Sequence, residues 1–185
     1  MSYTKVSLPK LSLGAGCPTP KSPDIIIIDV DDVVTEPTRS VGNTALVGDI
    51  TLKASAKAVR IYGTPSTINI TEEYSGEDDA RGIMQGLEFE HPGNSVEVKN
   101  FIEAFLNKGV IAIVKECDGS SAGRMQLFGS KCNPLLITPE TTISKESTKR
   151  KFTLKQSTVG PFLPGDYSGK LPEIASDATS GSEGA

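Results

Sequence analysis

The chain has no tryptophan, one histidine, three cysteines, and only six phenylalanines and four tyrosines in 185 residues. Each scarcity excludes something. Without Trp, and with Tyr and Phe scattered, there is no aromatic platform of the kind a carbohydrate-binding module presents, and the core has to be built mostly from aliphatic side chains. The lone His91, followed by Pro92, has no serine or cysteine pattern around it that would make a nucleophilic triad, so it reads as a turn residue. Cys17, Cys117 and Cys132 are odd in number and widely spaced, with no C-x-x-C pair. They fit neither a zinc site nor a disulfide framework and read as buried or incidental thiols of a reducing compartment. An excess of base is missing as well: 19 Lys and Arg face 23 Asp and Glu, for a net charge of -4. Affinity by neutralising nucleic-acid phosphates is therefore not expected, and weak repulsion from DNA is. The longest apolar runs, Ile25 to Ile28 and Val110 to Val114, are far shorter than a membrane span, and the first sixteen residues hold no signal-peptide core. The expectation is a protein made and used inside a cell, with no membrane partner.

What is present is an ordinary globular mixture, 37% apolar and 23% charged, sized for one domain. Residues 1–23 carry four prolines with several Gly and Ser and read as an extended N-terminal arm. Residues 24–160 read as the β-rich body, and 161–185 as a Pro, Gly and Ser-rich extension whose last ten residues drift into low complexity and are expected to be mobile. Within the body, DIIIIDVDDVV (24–34) is strand-like with one exposed end, and 44–62 alternates as one long strand or two joined near Ser55. STINITEEY and IMQGLEFEH alternate on either side of EEYSGEDDARG (72–82), giving a hairpin with a long acidic tip. Gly82 and Gly86, inside this strand-like sequence, are expected to mark bulges.

One helix is expected, between Asn94 and Lys108, with Val98, Phe101, Ile102, Phe105 and Leu106 as its apolar stripe. Asn94 and Glu97 are placed for a capping box, Lys108 for the carboxyl end and Gly109 for the left-handed stop. VIAIVKEC and RMQLFGSKC then form a hairpin around 118–123, and NPLLITPET and KRKFTLKQS form two more strands. No repeat of fixed period is present.

Three stretches invite a chemical reading. IIIIDVDDVVT ends an apolar strand in D-x-D, as in the first motif of haloacid-dehalogenase-like phosphotransferases, where Asp29 would be the nucleophile and Asp31 the general acid beside a magnesium ion. No alternating βα units follow, and Asp78 and Asp79 come too early for a second acidic pair. The acidic groups Asp29, Asp31, Asp32 and Glu72, Glu73, Glu77, Asp78, Asp79 lack the D-x-D-x-D-G spacing of a calcium loop and read as a solvated face. KESTKRK (145–151) is a short basic run with two readings, a contact for nucleic acid or, the favoured one, the approach to an edge strand that discourages unwanted pairing. No catalytic, cofactor-binding or metal-binding residue is expected.

The order of elements is that of a mainly β fold with one flanking α-helix, a β-sandwich or rolled antiparallel barrel, and it resembles the major tail tube protein of long-tailed bacteriophages and the related tube proteins of type VI secretion. The resemblance covers about 24–157: the helix at 95–107 looks like the family's flank helix, EEYSGEDDARG like its inter-ring loop, and GRMQLFGSKCNPLLIT like the strand, turn and strand that follow. It implies hexameric rings of this chain stacked into a tube, other phage tail proteins as partners, DNA passing through the lumen without specific binding, and a virion protein assembled in the bacterial host cytoplasm. Glu72, Glu73, Tyr74, Glu77, Asp78, Asp79 and Arg81 would form the assembly loop. The other virion role compatible with the same elements is head completion or capsid decoration.

Overall fold

A computed structural model describes residues 5, 7–9, 16–117, 123–144 and 148–177. The turn expected at 118–122, most of the arm before residue 16, the first three residues of the basic run and the terminal residues 178–185 lie outside the described residues.

The strands in chain order are β1 (Lys21–Asp29), β2 (Val33–Thr35), β3 (Thr38–Arg39), β4 (Ala45–Val47), β5 (Thr51–Leu52), β6 (Val59–Tyr62), β7 (Asn69–Ser75) and β8 (Gly82–Pro92). After the helix α1 (Val96–Ala104) come β9 (Gly109–Glu116), β10 (Arg124–Phe128), β11 (Leu135–Ile143), β12 (Thr148–Gln156) and β13 (Gly165–Tyr167). The protein is thus mainly β with one flanking α-helix among the described residues.

Strands β1 and β9 are the middle of the molecule. They pair antiparallel from Ile25↔Val114 to Asp29↔Val110, and their side chains alternate between two separate cores. Ile25, Ile27, Val110, Ala112 and Val114 enter one core, with Leu87, Phe89, Phe152, Leu154 and the helix residues Val98 and Phe105. Ile26, Ile28, Ile111 and Ile113 enter the other, with Val33, Leu46, Leu127 and Tyr167. Burial on both faces is why these two strands are unbroken apolar runs where their neighbours alternate.

Along one edge, β1 carries β6. Along the opposite edge of β9 lie first β10, from Arg124↔Glu116 to Phe128↔Ala112, and then β11, at Leu135↔Val110 and Leu136↔Gly109. The excursion 129–134 between them lets the sheet divide. β10 leads through β13 to β4 and β3, while β11 leads through β12 to β8 and β7. The second branch is a wing of four antiparallel strands in the order β11-β12-β8-β7.

Several expectations change. Residues 44–62 form three short strands, β4, β5 and β6, because Gly48 (φ 103°) and Ser55 (φ 71°) both turn the chain through the left-handed region. Strand β7 runs on through Glu72, Glu73 and Tyr74, so the acidic loop is 76–81 and not 72–82. Gly82 and Gly86 mark no bulge, since the β7–β8 register is continuous from Asn69↔Glu88 to Ser75↔Gly82. Gly86 permits close approach instead: a Cβ there would meet Thr71 Oγ1 at 2.3 Å. The extension read from 161 onward belongs to the body, with β13 inserted between β10 and β4 and Tyr167 only 3% exposed.

Helix α1 is shorter than expected. It begins after Ser95, while Asn94 is turned to Arg150, whose Nε donates to its Oδ1 at 3.2 Å. A hydrogen bond from the Ser95 side chain, and then from its own amide, holds the Glu97 carboxyl below the usual range. The helix stops at Ala104; Asn107 (φ 59°), not Gly109, takes the left-handed conformation, and Leu106 is left exposed. Gly109 opens β9, where a Cβ would collide with Pro134 at 2.7 Å.

Candidate assembly surface

The wing has two faces set by the two-residue period of its strands. Toward the core, Phe89 of β8 and Phe152 of β12 are register partners whose rings stack with centroids 5.3 Å apart, next to the pair Leu87↔Leu154. Toward the outside, glutamates of β7 and β8 meet lysines of β12. Lys155 Nζ lies 2.7 Å from Glu73, Lys151 3.1 Å from Glu88, and Lys149 2.8 Å from Glu90. Exposed pairs of this kind each add only a few tenths of a kcal/mol up to about 1 kcal/mol, so their main effect is on what the face offers a partner: alternating, balanced charge. The basic run therefore plays a different part from the one expected. Lys149, Arg150 and Lys151 lie in β12, an interior strand of the wing, where the two lysines pair with glutamates of β8, Arg150 bonds Asn94, and none guards an edge.

Both outer edges of the wing are open among the described residues. β7, seven residues long, pairs only with β8. β11 pairs with β9 through Leu135 and Leu136 alone, so from Ile137 to Ile143 it has β12 on one side and no strand on the other. At the far end of the other branch, β3 is two residues long and presents little edge.

The seven residues expected to form the assembly loop are divided by the fold. Glu72, Glu73 and Tyr74 belong to β7, with Glu73 taken up by Lys155 and the Tyr74 ring 70% exposed. Glu77, Asp78, Asp79 and Arg81 form the turn proper. Asp78 pairs with Arg81 at 3.2 Å, the Ala80 amide donates to the Glu77 carbonyl at 3.1 Å, and Asp79 sits at φ 67°. The turn is fixed by Gly76, at φ 119°, where any Cβ would fall 2.3 Å from the Ala80 carbonyl oxygen.

The other sequence candidates resolve into structural roles. Asp29 Oδ1 accepts the Asp31 amide at 2.9 Å and caps the 3₁₀ turn Val30–Asp32, while its other oxygen pairs with Lys108, which is therefore not at the helix end. The strand that leads to it lies antiparallel between β6 and β9, so the likeness to a dehalogenase-type phosphotransferase ends with the D-x-D itself. Among the described residues no group of three or more His, Cys, Asp or Glu is arranged to hold a metal ion. His91 Nδ1 lies 2.9 Å from the Tyr62 carbonyl oxygen. All three cysteines are free and exposed, not buried. No helix among the described residues is long and apolar enough to cross a membrane.

Two concavities were not foreseen. One, of about 330 Å³, lies beside the excursion 129–134 and is closed by two buried glutamines. Gln85 accepts the Gly129 amide at 2.8 Å and donates to the Phe162 carbonyl at 3.0 Å; Gln156 accepts the Gln85 amide at 3.0 Å and donates to the Asn133 carbonyl at 2.9 Å. These four bonds satisfy the Gly129 amide and Asn133 carbonyl of the excursion and, beside it, the Gln85 amide and the Phe162 carbonyl. The sequence signal was a glutamine at an inward position of each alternating strand. The second concavity, about 690 Å³, is a groove between α1 and β6.

No family model, curated protein or solved structure matches this chain.

Proposed function

We propose that this protein is a structural subunit that joins copies of itself edge to edge, and that the product is the tail tube of a long-tailed phage, built of stacked rings around a conduit for DNA. The observation that carries the reading is the wing, with four antiparallel strands, an open edge on each side, an apolar face on its own core and a polar face outward. Placing β7 of one copy against β11 of the next is a heterologous contact, which closes into a ring when the rotation divides a full turn. Such pairing satisfies edge groups that would otherwise template aggregation. Pro139, which has no amide to donate, limits the joint on the β11 side to residues on either side of it.

In this arrangement the polar face of the wing lines the lumen. Its described lysines are each engaged by a glutamate, leaving no unpartnered cation stripe for phosphates among the described residues, and DNA passes without specific binding. The tip 76–81 stands at the end of the wing and provides the contact between successive rings. The subunit assembles in the bacterial cytoplasm and works in the virion tail with the other tail proteins.

The test is negative-stain electron microscopy with light scattering over a wide range of protein concentration. Rings or tubes with an open lumen, and no retardation of duplex DNA by the free protein, are the expected result. A monomer at every concentration would overturn it, and monomers that attach singly to preformed capsids would make the protein a decoration or head-completion component.

A further inference from the structure

We propose that the groove between α1 and β6 is the seat for the N-terminal arm of a second copy of this chain, residues 5–13 lying extended along β6. The inference rests on the self-assembly reading and names a contact that the wing does not supply.

The groove has the chemistry of a strand-docking site. Its walls are Val98, Phe101 and Phe105 of α1 and Val59, Ile61 and Tyr62 of β6. Phe101 is only half-buried and Tyr62 is 44% exposed, so this is apolar surface facing water in the single chain. Along the groove β6 is an edge. Its strand partner is β1; on its other side Ala58, just before the strand, bridges Ile174, the Arg60 side chain pairs with Asp177 and the Tyr62 carbonyl oxygen lies 2.9 Å from His91 Nδ1, but among the described residues no strand pairs with Val59–Tyr62 there. A site with an apolar wall and an open strand edge takes an extended segment, with main-chain hydrogen bonds giving affinity and alternate side chains filling the wall.

Two segments of this chain are candidates for the occupant. Residues 178–185, ATSGSEGA, follow directly on Asp177 at the groove's rim but contain no side chain that could fill an apolar wall. The arm, KVSLPKLSL from Lys5 to Leu13, contains four. Val6 and Leu8 fall on one face of an extended chain, and Leu11 and Leu13 on one face after the Pro9–Lys10 step. Charge agrees. Residues 5–13 carry Lys5 and Lys10 and no Asp or Glu, which leaves 17 basic against 23 acidic side chains in the rest. A basic arm thus meets an acidic body, and at the groove it meets the Glu97 carboxylate, while Arg60 there is taken up by Asp177. Length is not limiting: nine extended residues span about 30 Å, more than twice the roughly 13 Å of a four-residue strand.

The single chain does not fill its own groove this way. Leu8 is 91% exposed. Leu8 is therefore left to seat in the groove of a neighbour.

The experiment places a photo-crosslinking benzoylphenylalanine at position 8 of the full chain. Light and nitrogen-15-labelled protein are mixed before assembly, and adducts are mapped by mass spectrometry. Adducts that join a light to a heavy chain and map to 59–62 or 96–105 are expected. In the assembled protein, adducts elsewhere, adducts within one chain, or none at all overturn the proposal and leave the self-assembly reading standing. A chain that stays monomeric at every concentration and gives no adduct between chains overturns both. As a second readout, the double variant Leu8→Asp, Leu11→Asp should melt as the parent does, because the proposed seat is on another copy, yet need at least ten times the concentration for half-assembly. Unchanged assembly of that variant also counts against the proposal.

Discussion

Lys108, at the entry to β9, reaches back to the carboxylate of Asp29, at the exit of β1. The same carboxylate caps the turn that follows it, so Asp29 ties two ends of the central strand pair and starts the chain on its way to β2. The D-x-D ending is thereby accounted for by the turn. Replacing Asp29 with Ala should lower stability by about 1–2 kcal/mol through loss of the cap, measured by urea unfolding. The Lys108 ammonium is held above its ordinary pKa first by its hydrogen bond to Asp29 and then by the charge. Its contribution is therefore whole below the ordinary lysine pKa and is lost as pH rises through the raised one, and Asp29→Ala should remove that alkaline component. An undiminished stability in the variant would mean that the cap and the pair do nothing.

Replacing the tip 76–81 by Asn-Gly separates folding from assembly. Ser75 and Gly82 are register partners, so a two-residue type I′ turn can join β7 to β8 without shifting a pair. Stability should change by no more than about 1 kcal/mol, since the tip contributes no core side chain. If the tip joins rings, stacked tubes should disappear while single rings persist in electron micrographs. Tubes of normal length from the shortened protein would remove Glu77, Asp78, Asp79 and Arg81 from the assembly surface.

How much of this was legible in the sequence depends on how local the cause is. The runs Ile25–Ile28 and Val110–Val114 announce strands, and their unbroken hydrophobicity fits burial on both faces, which the two cores explain. The β7–β8 hairpin and the helix stripe are periodic and were legible for the same reason. What failed depends on partners far along the chain. The helix end went wrong because Lys108 goes to Asp29, and the cap because Asn94 goes to Arg150. The role of the basic run is not legible locally because the glutamate partners of Lys149 and Lys151 lie about sixty residues earlier. The stretch after 160 is rich in Gly and Pro and reads as a tail, yet it supplies β13 between β10 and β4, and Gly165 leaves the room there for Leu46 that a Cβ would strike at 2.4 Å. Of the candidate site, the acidic tip was visible as composition. The open edges and the groove were not, because an edge is defined by which strands fail to meet.

The two buried glutamines should be among the costliest polar positions to change. Gln85→Leu keeps the volume but strands the Gly129 amide and the Phe162 carbonyl, each buried or half-buried beside the excursion. A loss of about 2–4 kcal/mol is expected, more than for any single Glu–Lys pair of the wing. Comparing the urea midpoint of Gln85→Leu with that of Lys151→Ala checks the order. If Lys151→Ala costs as much, the network is not what holds the divided sheet together.

Tyr167 gives the clearest pH signature. Its hydroxyl donates to the Lys170 carbonyl at 2.6 Å and accepts the Ile50 amide at 3.2 Å, fastening β13 to the loop after β4. Tyr167→Phe leaves both groups without that partner and should cost about 1–3 kcal/mol at neutral pH. Burial is the main cause that raises the phenol pKa, with the charge of Asp49 adding to it, against the opposing hydrogen bond from Ile50. A raised folded value means that the neutral phenol's contribution is complete below the unfolded pKa, about 10, and is lost as pH climbs through the folded one. Phenylalanine has no such loss. The gap in stability between parent and variant should hold from pH 7 to 9 and narrow above about pH 10, and a gap that stays constant through the alkaline range would show that the Tyr167 hydroxyl is not sequestered in the folded protein.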